Sequence, residues 1–292
     1  MARMTPEARS ETLIEALPYI QQYRGQTFVI KYGGSAMEDE QIVDKFLRDV
    51  VFLEAVGINP VLVHGGGKAI TAKMKEAGLA AHFIDGLRAT SEKAIHIVEE
   101  TLDRQINPSI VETIHEFGGR ARGFSGKDVF LARKLEKQAV VDGETIDIGF
   151  VGEAVGVMAD AVSEAVHAEI VPVISPIGST TEGVVLNINA DIAAASLAGE
   201  LQASKLIYVT DVPGILTDPS QKDSLISSVT MQQIDELIRR KVIAGGMIPK
   251  VNSATGALKR GVEKVHMIGG HIQHCLLLEI FTDAGIGTEI VH

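Results

Sequence analysis

Apolar residues along this chain fall into two alternating patterns: short continuous runs, and stripes at helical spacing. Residues 27–31, 60–63, 170–174, 184–188 and 205–210 form mostly β-branched or aliphatic runs too short for helices and read as strands, and two further strands are expected at 263–268 and 287–291. Between them lie helical stripes. Ile42, Val43, Phe46, Leu47, Val50 and Leu53 define a helix over about 38–56, and further helices are expected at 67–77, 91–104, 106–117 and 190–199. Thr230-Met231-Gln232-Gln233 matches a capping box with Ile234, Leu237 and Ile238 behind it. Met247, Val251, Ala254 and Leu258 share one face of a helix over 247–258, and another follows at 273–281. Repeated β-α alternation with nearly unbroken apolar strands predicts a three-layer α/β/α fold around a central, mostly parallel sheet.

Three stretches depart from that rhythm. Segments near 128–134 and 146–155 alternate in polarity and read as hairpins away from the central sheet. Pro172 interrupts the run at 170–174 and predicts an edge or a strand end. Residues 7–23 form a helix ahead of the first strand, with Leu13, Ile14, Leu17 and Ile20 on one face and a kink expected at Pro18. That helix either packs on its own subunit or serves as an oligomerisation arm. The loop Gly178-Ser179-Thr180-Thr181-Glu182-Gly183 suggests a lobe boundary near 178.

Composition narrows the class. The 292 residues, 46% hydrophobic, are enough for one large domain or two lobes with an extensive core. No apolar stretch approaches the roughly 20 residues that span a bilayer, and the first residues lack a secretory core. The single cysteine, Cys275, excludes an internal disulfide and fits a reducing compartment, so a cytoplasmic protein is expected. A net charge of −11 argues against a nucleic-acid surface and makes isolated positive spots more telling.

Two such spots are lysines on glycine-flanked segments. Lys31 ends the first strand and precedes Gly33-Gly34, while Lys250 closes Gly245-Gly246-Met247-Ile248-Pro249-Lys250. Between them in sequence, Gly65-Gly66-Gly67 follows a strand and opens a helix, where free amides and the dipole favour an anion. Its spacing matches neither a P-loop nor a dinucleotide fingerprint, and a lone triple glycine is more often a tight βα turn than a phosphate loop. Lys31 is either a snorkelling surface lysine or a ligand group at the carboxyl end of a parallel strand. Pro249 suits a first helical turn, where Lys250 opposes the dipole unless an anion sits nearby. Asp191, in Asn187-Ile188-Asn189-Ala190-Asp191, either caps a helix or aligns the two lysines. Arg88 reads as a surface residue on pattern alone, although its fork suits a carboxylate. Asp211-Val212-Pro213-Gly214-Ile215-Leu216 reads as a turn or a nucleotide-facing loop. The nine histidines show no metal-ligand spacing, so no resident metal site is expected. No general base stands out, and phosphoryl transfer to an ionised carboxylate needs none.

In their order along the chain, Lys31-Tyr32-Gly33-Gly34, His64-Gly65-Gly66-Gly67, Gly86-Leu87-Arg88, Asn187 to Asp191, Asp211 to Leu216 and Gly246 to Lys250 resemble the amino-acid kinase family over nearly the whole sequence. The resemblance implies a carbamate-kinase-like fold. It is strongest to the branch that phosphorylates the side-chain carboxylate of N-acetyl-L-glutamate with ATP and Mg²⁺ in arginine biosynthesis. It would make Lys31, Lys250 and Asp191 catalytic. Gly66, Gly67, Arg88, Asn187 and Asn189 would bind the acetylated amino acid. Gly33, Gly34, Asp211, Gly214, Ile215, Leu216, Val242, Ile243 and Ala244 would line the nucleotide site. The same resemblance divides the chain into an oligomerisation helix (1–24), an acetylglutamate-binding and dimerising lobe (25–178) and an ATP-binding lobe (179–292).

The N-terminal helix and the tail containing Glu279 and Gly287 look like the arginine-inhibited members, which implies L-arginine as inhibitor and a dimer or hexamer. Family members commonly carry Asp-Gly-Arg and Pro-His-Ala before the leucine run, where this chain has Gly269-Gly270-His271 and Gln273-His274-Cys275. Rival readings are a kinase of the same fold acting on aspartate, glutamate, carbamate or UMP, and a catalytically silent amino-acid sensor. Retention of both lysines and Asp191 speaks against the sensor.

Overall fold

A computed structural model describes residues 5–37, 39–141, 144–218 and 220–292. The first four residues of the expected N-terminal arm lie outside the described residues. Helix α1 (Pro6–Tyr23) starts on Thr5, whose side chain accepts from Ala8 N–H, and runs unbroken through Pro18. Strand β1 (Thr27–Tyr32) is buried along nearly its whole length. It leads to α2 (Glu40–Ala55), capped by Asp39, and then to β2 (Asn59–His64). Helix α3 (Gly67–Glu76) opens directly on the triple glycine. A small ribbon, β3 (Phe83–Ile84) and β4 (Leu87–Arg88), precedes α4 (Glu92–Glu99). The chain then makes a π-helical segment, Glu100–Ile106, and continues as α5 (Asn107–Glu116).

Strand β5 (Ala121–Phe124) follows, then β6 (Phe130–Lys134), the hairpin β7 (Gln138–Val141) and β8 (Glu144–Asp147), and β9 (Val151–Val157). Helix α6 (Asp160–His167) returns the chain to β10 (Val171–Ile174). After β11 (Ile177–Ser179) and β12 (Val185–Ile188), the alanine-rich α7 (Ala190–Glu200) leads into β13 (Lys205–Thr210). Strand β14 (Ser228–Thr230) carries the capping box into α8 (Met231–Arg239), in which Thr230 and Gln233 cap reciprocally. Helix α9 (Met247–Lys259), β15 (Lys264–Gly269), α10 (Cys275–Ile280) and β16 (Thr288–Val291) complete the fold.

Among the described residues the central sheet has eight strands in the order β14-β16-β15-β13-β1-β2-β10-β5. Every pair is parallel except β15 with β16. One face packs on α7 and α9 through Ala194, Leu197, Val251 and Ala254, the other on α2 and α10 through Phe46, Leu47, Leu53 and Leu276. The alternating segments do lie off this sheet. Strands β6, β9, β11 and β12 close into a small barrel of their own.

One expectation needs correction, and one strand lies outside the expected set. Of the two readings of Pro172, the edge fails because β5 pairs outside β10, while the strand end holds, since Pro172 is the second residue of the strand. Val171 N–H donates to Arg120 O on the β5 side, so Pro172 turns its nitrogen toward β2. The register with β2 begins only at Val173, and no ladder donor is lost there. Strand β5 was not anticipated, since Ala121-Arg122-Gly123-Phe124 lacks a β-branched run.

Helix α1 divides its contacts. Its C-terminal end docks on the body, with Tyr23 edge-on to Phe28, Tyr19 edge-on to Phe281, and the Tyr19 hydroxyl bonded to Asp283. Leu13 and Ile14, two-thirds exposed at 69% and 66%, form an apolar face left uncovered among the described residues.

Candidate active site

The carboxyl ends of β1, β2 and β13 deliver the lysine and the glycine turns to one rim of the sheet, where ligands bind in open α/β folds. Lys31, 9% exposed, points from β1 toward the start of α7. Asn189 caps that helix, accepting from the amides of Asp191 and Ile192, so Asp191 is not the cap. Freed from capping, Asp191 takes Lys31 Nζ at 3.2 Å on one oxygen and Lys250 Nζ at 2.6 Å on the other. Burial works to raise its pKa, but the two ammonium groups win and hold the carboxyl below the usual range. The contact with Lys31 is an ion pair without hydrogen-bond geometry, which leaves Asp191 Oδ1 buried and unbonded.

The Tyr208 hydroxyl, 3.2 Å from Asp191 O, and Ser253 Oγ, 2.9 Å from it, tie β13 and α9 to the head of α7. Nothing in the sequence singled out either residue. Gly34 has φ +71°, and a Cβ there would lie 2.3 Å from Asp211 Oδ1, so only glycine fits beside that carboxylate.

A cavity of about 240 Å³ opens beside Lys31, lined by the triple glycine, Arg88, Asn187, Asn189, Phe83 and Leu102. Arg88 is buried, at 7% exposure, contrary to its surface reading. Its Nη2 donates to Gly67 O at 2.7 Å and Thr71 Oγ1 at 2.9 Å, and its guanidinium lies over the Phe83 ring. It makes no ion pair among the described residues, and burial lowers its pKa. Asn187 Nδ2 reaches Thr90 Oγ1 at 3.3 Å, and that hydroxyl donates to Arg88 O at 2.8 Å. The site thus sets Arg88, a buried cation without an ion-pair partner among the described residues, on the same cavity as Lys31, which Asp191 links to Lys250.

The remaining predicted residues fall in two places. In the loop after β13, Ile215 N–H donates to Thr288 Oγ1 at 2.8 Å, Gly214 is packed against Thr288, and Leu216 bridges Leu225. Ile215 and Ile243 are core residues at 1% exposure, whereas Ala244 and Asp211 are exposed and Val242 is half-buried. Glu279 and Gly287 lie elsewhere, at a cavity of about 490 Å³ between α1 and the tail. There Lys205 Nζ donates to His266 Nε2 at 3.1 Å, and His266 Nδ1 donates to Glu279 Oε1 at 2.6 Å. The amides of Ile286 and Gly287 donate to Glu279 Oε2. Burial brings Lys205 down to about 8.

The amino acid kinase family pattern matches residues 26–269. The chain belongs to that family. Acetylglutamate kinase of Akkermansia muciniphila is 49% identical over 284 residues, covering 97% of this chain and 95% of that one. Acetylglutamate kinase of Aquifex aeolicus is 46% identical, covering 97% of each. Among solved structures, the chain superposes with a TM-score of 0.84 at 28% identity on N-acetylglutamate synthase of Neisseria gonorrhoeae, complexed with coenzyme A and N-acetyl-glutamate. That match covers 97% of this chain and 63% of the longer synthase chain. Carbamate kinase of Giardia lamblia shares the fold, at a TM-score of 0.67 and 16% identity. The mostly parallel sheet flanked by helices is therefore the family fold.

Proposed function

We propose that this kinase transfers the γ-phosphoryl group of ATP to the side-chain carboxylate of N-acetyl-L-glutamate, giving an acyl phosphate and ADP in arginine biosynthesis. The observation that carries the reading is Arg88, a buried guanidinium without an acidic partner on the wall of the cavity that Lys31 also lines. Such a cation is costly unless a ligand anion completes it. The α-carboxylate of the acceptor supplies that anion through the planar fork. The acceptor's other carboxylate then points along the cavity toward Lys31.

In the chemical step a carboxylate oxygen attacks the γ-phosphorus while the bond to the β-phosphate oxygen breaks, and ADP leaves. The attacking oxygen is already ionised, so no proton has to be removed. What remains is positioning and charge neutralisation, the principal needs of phosphoryl transfer. Lys31 and Lys250 face the transferring group and the leaving oxygen, with Asp191 keeping both tips at one spot. Mg²⁺ bound with the nucleotide would shield phosphate charge, with phosphate oxygens and water as its natural ligands. The described residues offer no cluster of three acidic, histidine or cysteine side chains to hold it instead.

The same reading assigns the nucleotide to residues 179–292, the acceptor and a dimer contact to 25–178, and a ring-forming arm to 1–24. L-arginine is assigned to the cavity lined by Glu279, Asp283 and Glu289, whose acidic side chains suit a guanidinium. Identity to the acetylglutamate kinases supports the substrate, and the exposed Leu13–Ile14 face supports the arm. No helix among the described residues is long and apolar enough to cross a membrane.

A coupled ADP-release assay tests the proposal. N-acetyl-L-glutamate should drive turnover, while aspartate, glutamate, carbamate and UMP should not, and added arginine should suppress the rate. Preference for any other acceptor would replace the substrate assignment; indifference to arginine would remove the regulatory one.

A further inference from the structure

His64 and Asn107 lie behind the glycine turn, outside the cavity, and the chemistry above makes no use of them. His64 is fully buried, and its Nδ1 lies 2.9 Å from Gly65 O. Its other nitrogen, Nε2, lies 3.3 Å from Asn107 Nδ2. That Nδ2 also faces Val173 O at 2.8 Å and Phe124 O at 3.5 Å. Carbonyl oxygens only accept, so the amide atom turned toward them is the nitrogen. A donor therefore meets Nε2, which must accept, and the ring proton must sit on Nδ1. From there it donates to Gly65 O, again an obligatory acceptor. The two amide hydrogens of Asn107 then serve Val173 O and Nε2, and Phe124 O at 3.5 Å is left as a weak contact. Burial keeps the ring neutral, pulling its pKa down to about 4.

Asn107 reaches this spot because of the π-helical segment. Its N–H bonds to Leu102 O five residues back, which advances the helix by one residue and turns the side chain toward the strand ends. Gly123 leaves room for it: a Cβ there would lie 2.2 Å from Asn107 Oδ1.

We propose that His64, held by Asn107 in its Nδ1-protonated form, is a positioning residue that fixes the Gly65–Gly66 peptide plane for phosphoryl transfer. A trans peptide points its carbonyl and its N–H in opposite directions. Anchoring Gly65 O on the buried ring therefore turns the Gly66 N–H to the other side, toward the cavity that Gly66 lines. The preceding peptide is anchored as well, since Gly65 N–H donates to Tyr32 O at 2.6 Å. With both planes fixed, an amide donor is aimed in advance at charge that develops during the reaction, where preorganisation matters most. A side chain at Gly66 would have to displace the terminal methyl groups of Leu102 and Ile106, which lie 2.6 and 2.8 Å from where its Cβ would stand.

The proposal rests on the kinase reading and is tested by two variants that divide the ring's functions. In His64→Asn the side-chain amide can occupy the place of Nδ1 and still donate to Gly65 O. In His64→Gln it occupies the place of Nε2, fills more of the volume, and loses that bond. We expect Gln to lower kcat by about tenfold or more with little change in either KM, and Asn to lower it much less. Equal losses, or a greater loss in Asn, would mean that the ring only fills space and would overturn the proposal. The ring itself gives a second readout, independent of activity. Nitrogen-15 spectra of the histidine-labelled full chain should show the His64 proton on Nδ1, and Asn107→Leu should release that preference. A proton on Nε2 in the unmodified chain would also overturn it. If the unmodified chain transferred no phosphoryl group to N-acetyl-L-glutamate, the kinase reading would fail, and the spectra would still decide the tautomer.

Discussion

Lys250 Nζ lies 2.6 Å from Asp191 Oδ2, joining the first turn of α9 to the first turn of α7 across 59 residues of sequence. Asp191 is the more deeply buried partner, and its other oxygen faces Lys31. Removing the carboxylate and removing one lysine should therefore have different consequences. Asp191→Asn leaves two cations facing each other in a poorly hydrated site, so the melting temperature should fall and a non-hydrolysable ATP analogue should restore much of the loss. Lys250→Ala leaves the Lys31–Asp191 pair intact and should melt nearly normally, while kcat drops by about 10²-fold or more. Calorimetry with and without the analogue, beside steady-state kinetics, separates the two. Near-normal turnover of Lys250→Ala would remove it from the chemistry.

Arg88 should act on acceptor binding more than on the nucleotide. Its position on the cavity wall leaves the guanidinium free to meet a carboxylate while Gly67 O and Thr71 hold its other edge. Arg88→Ala should raise the KM for N-acetyl-L-glutamate by about tenfold to a hundredfold, the usual range for losing a charge-assisted pair, with the KM for ATP little changed. Arg88→Lys should recover only part of the loss, because a point charge cannot reproduce the fork. A variant that altered ATP affinity alone would contradict the assignment.

The apolar face of α1 leads to a prediction about assembly. Leu13, Ile14 and Leu17 are exposed, whereas Tyr19 and Tyr23 bind the body, so the helix is anchored at one end and uncovered at the other. Truncation of residues 1–24 should lower the particle mass measured by light scattering. Leu13→Glu with Ile14→Glu should do the same without disturbing the anchored end. An unchanged mass in both would confine α1 to its own subunit.

The sequence revealed the fold more readily than the site. Lys31 stood out because it ends a buried apolar run and meets a glycine pair, a local pattern that burial of β1 enforces. Asp191 was ambiguous, since a polar residue at a helix start reads as a cap, and only the structure shows Asn189 taking that task. Arg88 reads as exposed because a lone arginine just after the Asp85-Gly86 turn carries no periodic sign of burial, and its burial comes from packing of the short ribbon against Gly67, Thr71 and Met74 of α3. Strand β5 was hidden by Gly123, a glycine required by the side chain of Asn107 and not by any strand propensity. The π-helical segment was equally silent, because a single-residue change of hydrogen-bond register barely alters hydrophobic spacing. Contacts made across the sheet leave no periodic trace.

Acid stability should report directly on His64. Its pKa is about 4 in the folded chain against 6.5 for an unperturbed imidazole, with burial as the main cause. Between those values the unfolded chain binds a proton that the folded chain refuses, so stability rises with pH across this window. The contribution is fully present above 6.5 and is lost as pH falls toward 4. Near pH 4.5 the loss amounts to on the order of 2 to 3 kcal/mol. His64→Gln has no group to titrate there. At pH 7 it should be less stable than the parent, having lost the bond to Gly65 O, but the gap should narrow by about 2 kcal/mol on acidification. Urea unfolding of both proteins at pH 7 and about pH 4.5 measures this difference while other carboxylates cancel. Parallel curves would mean that the imidazole titrates alike in the folded and unfolded chains, and that its burial imposes no such cost.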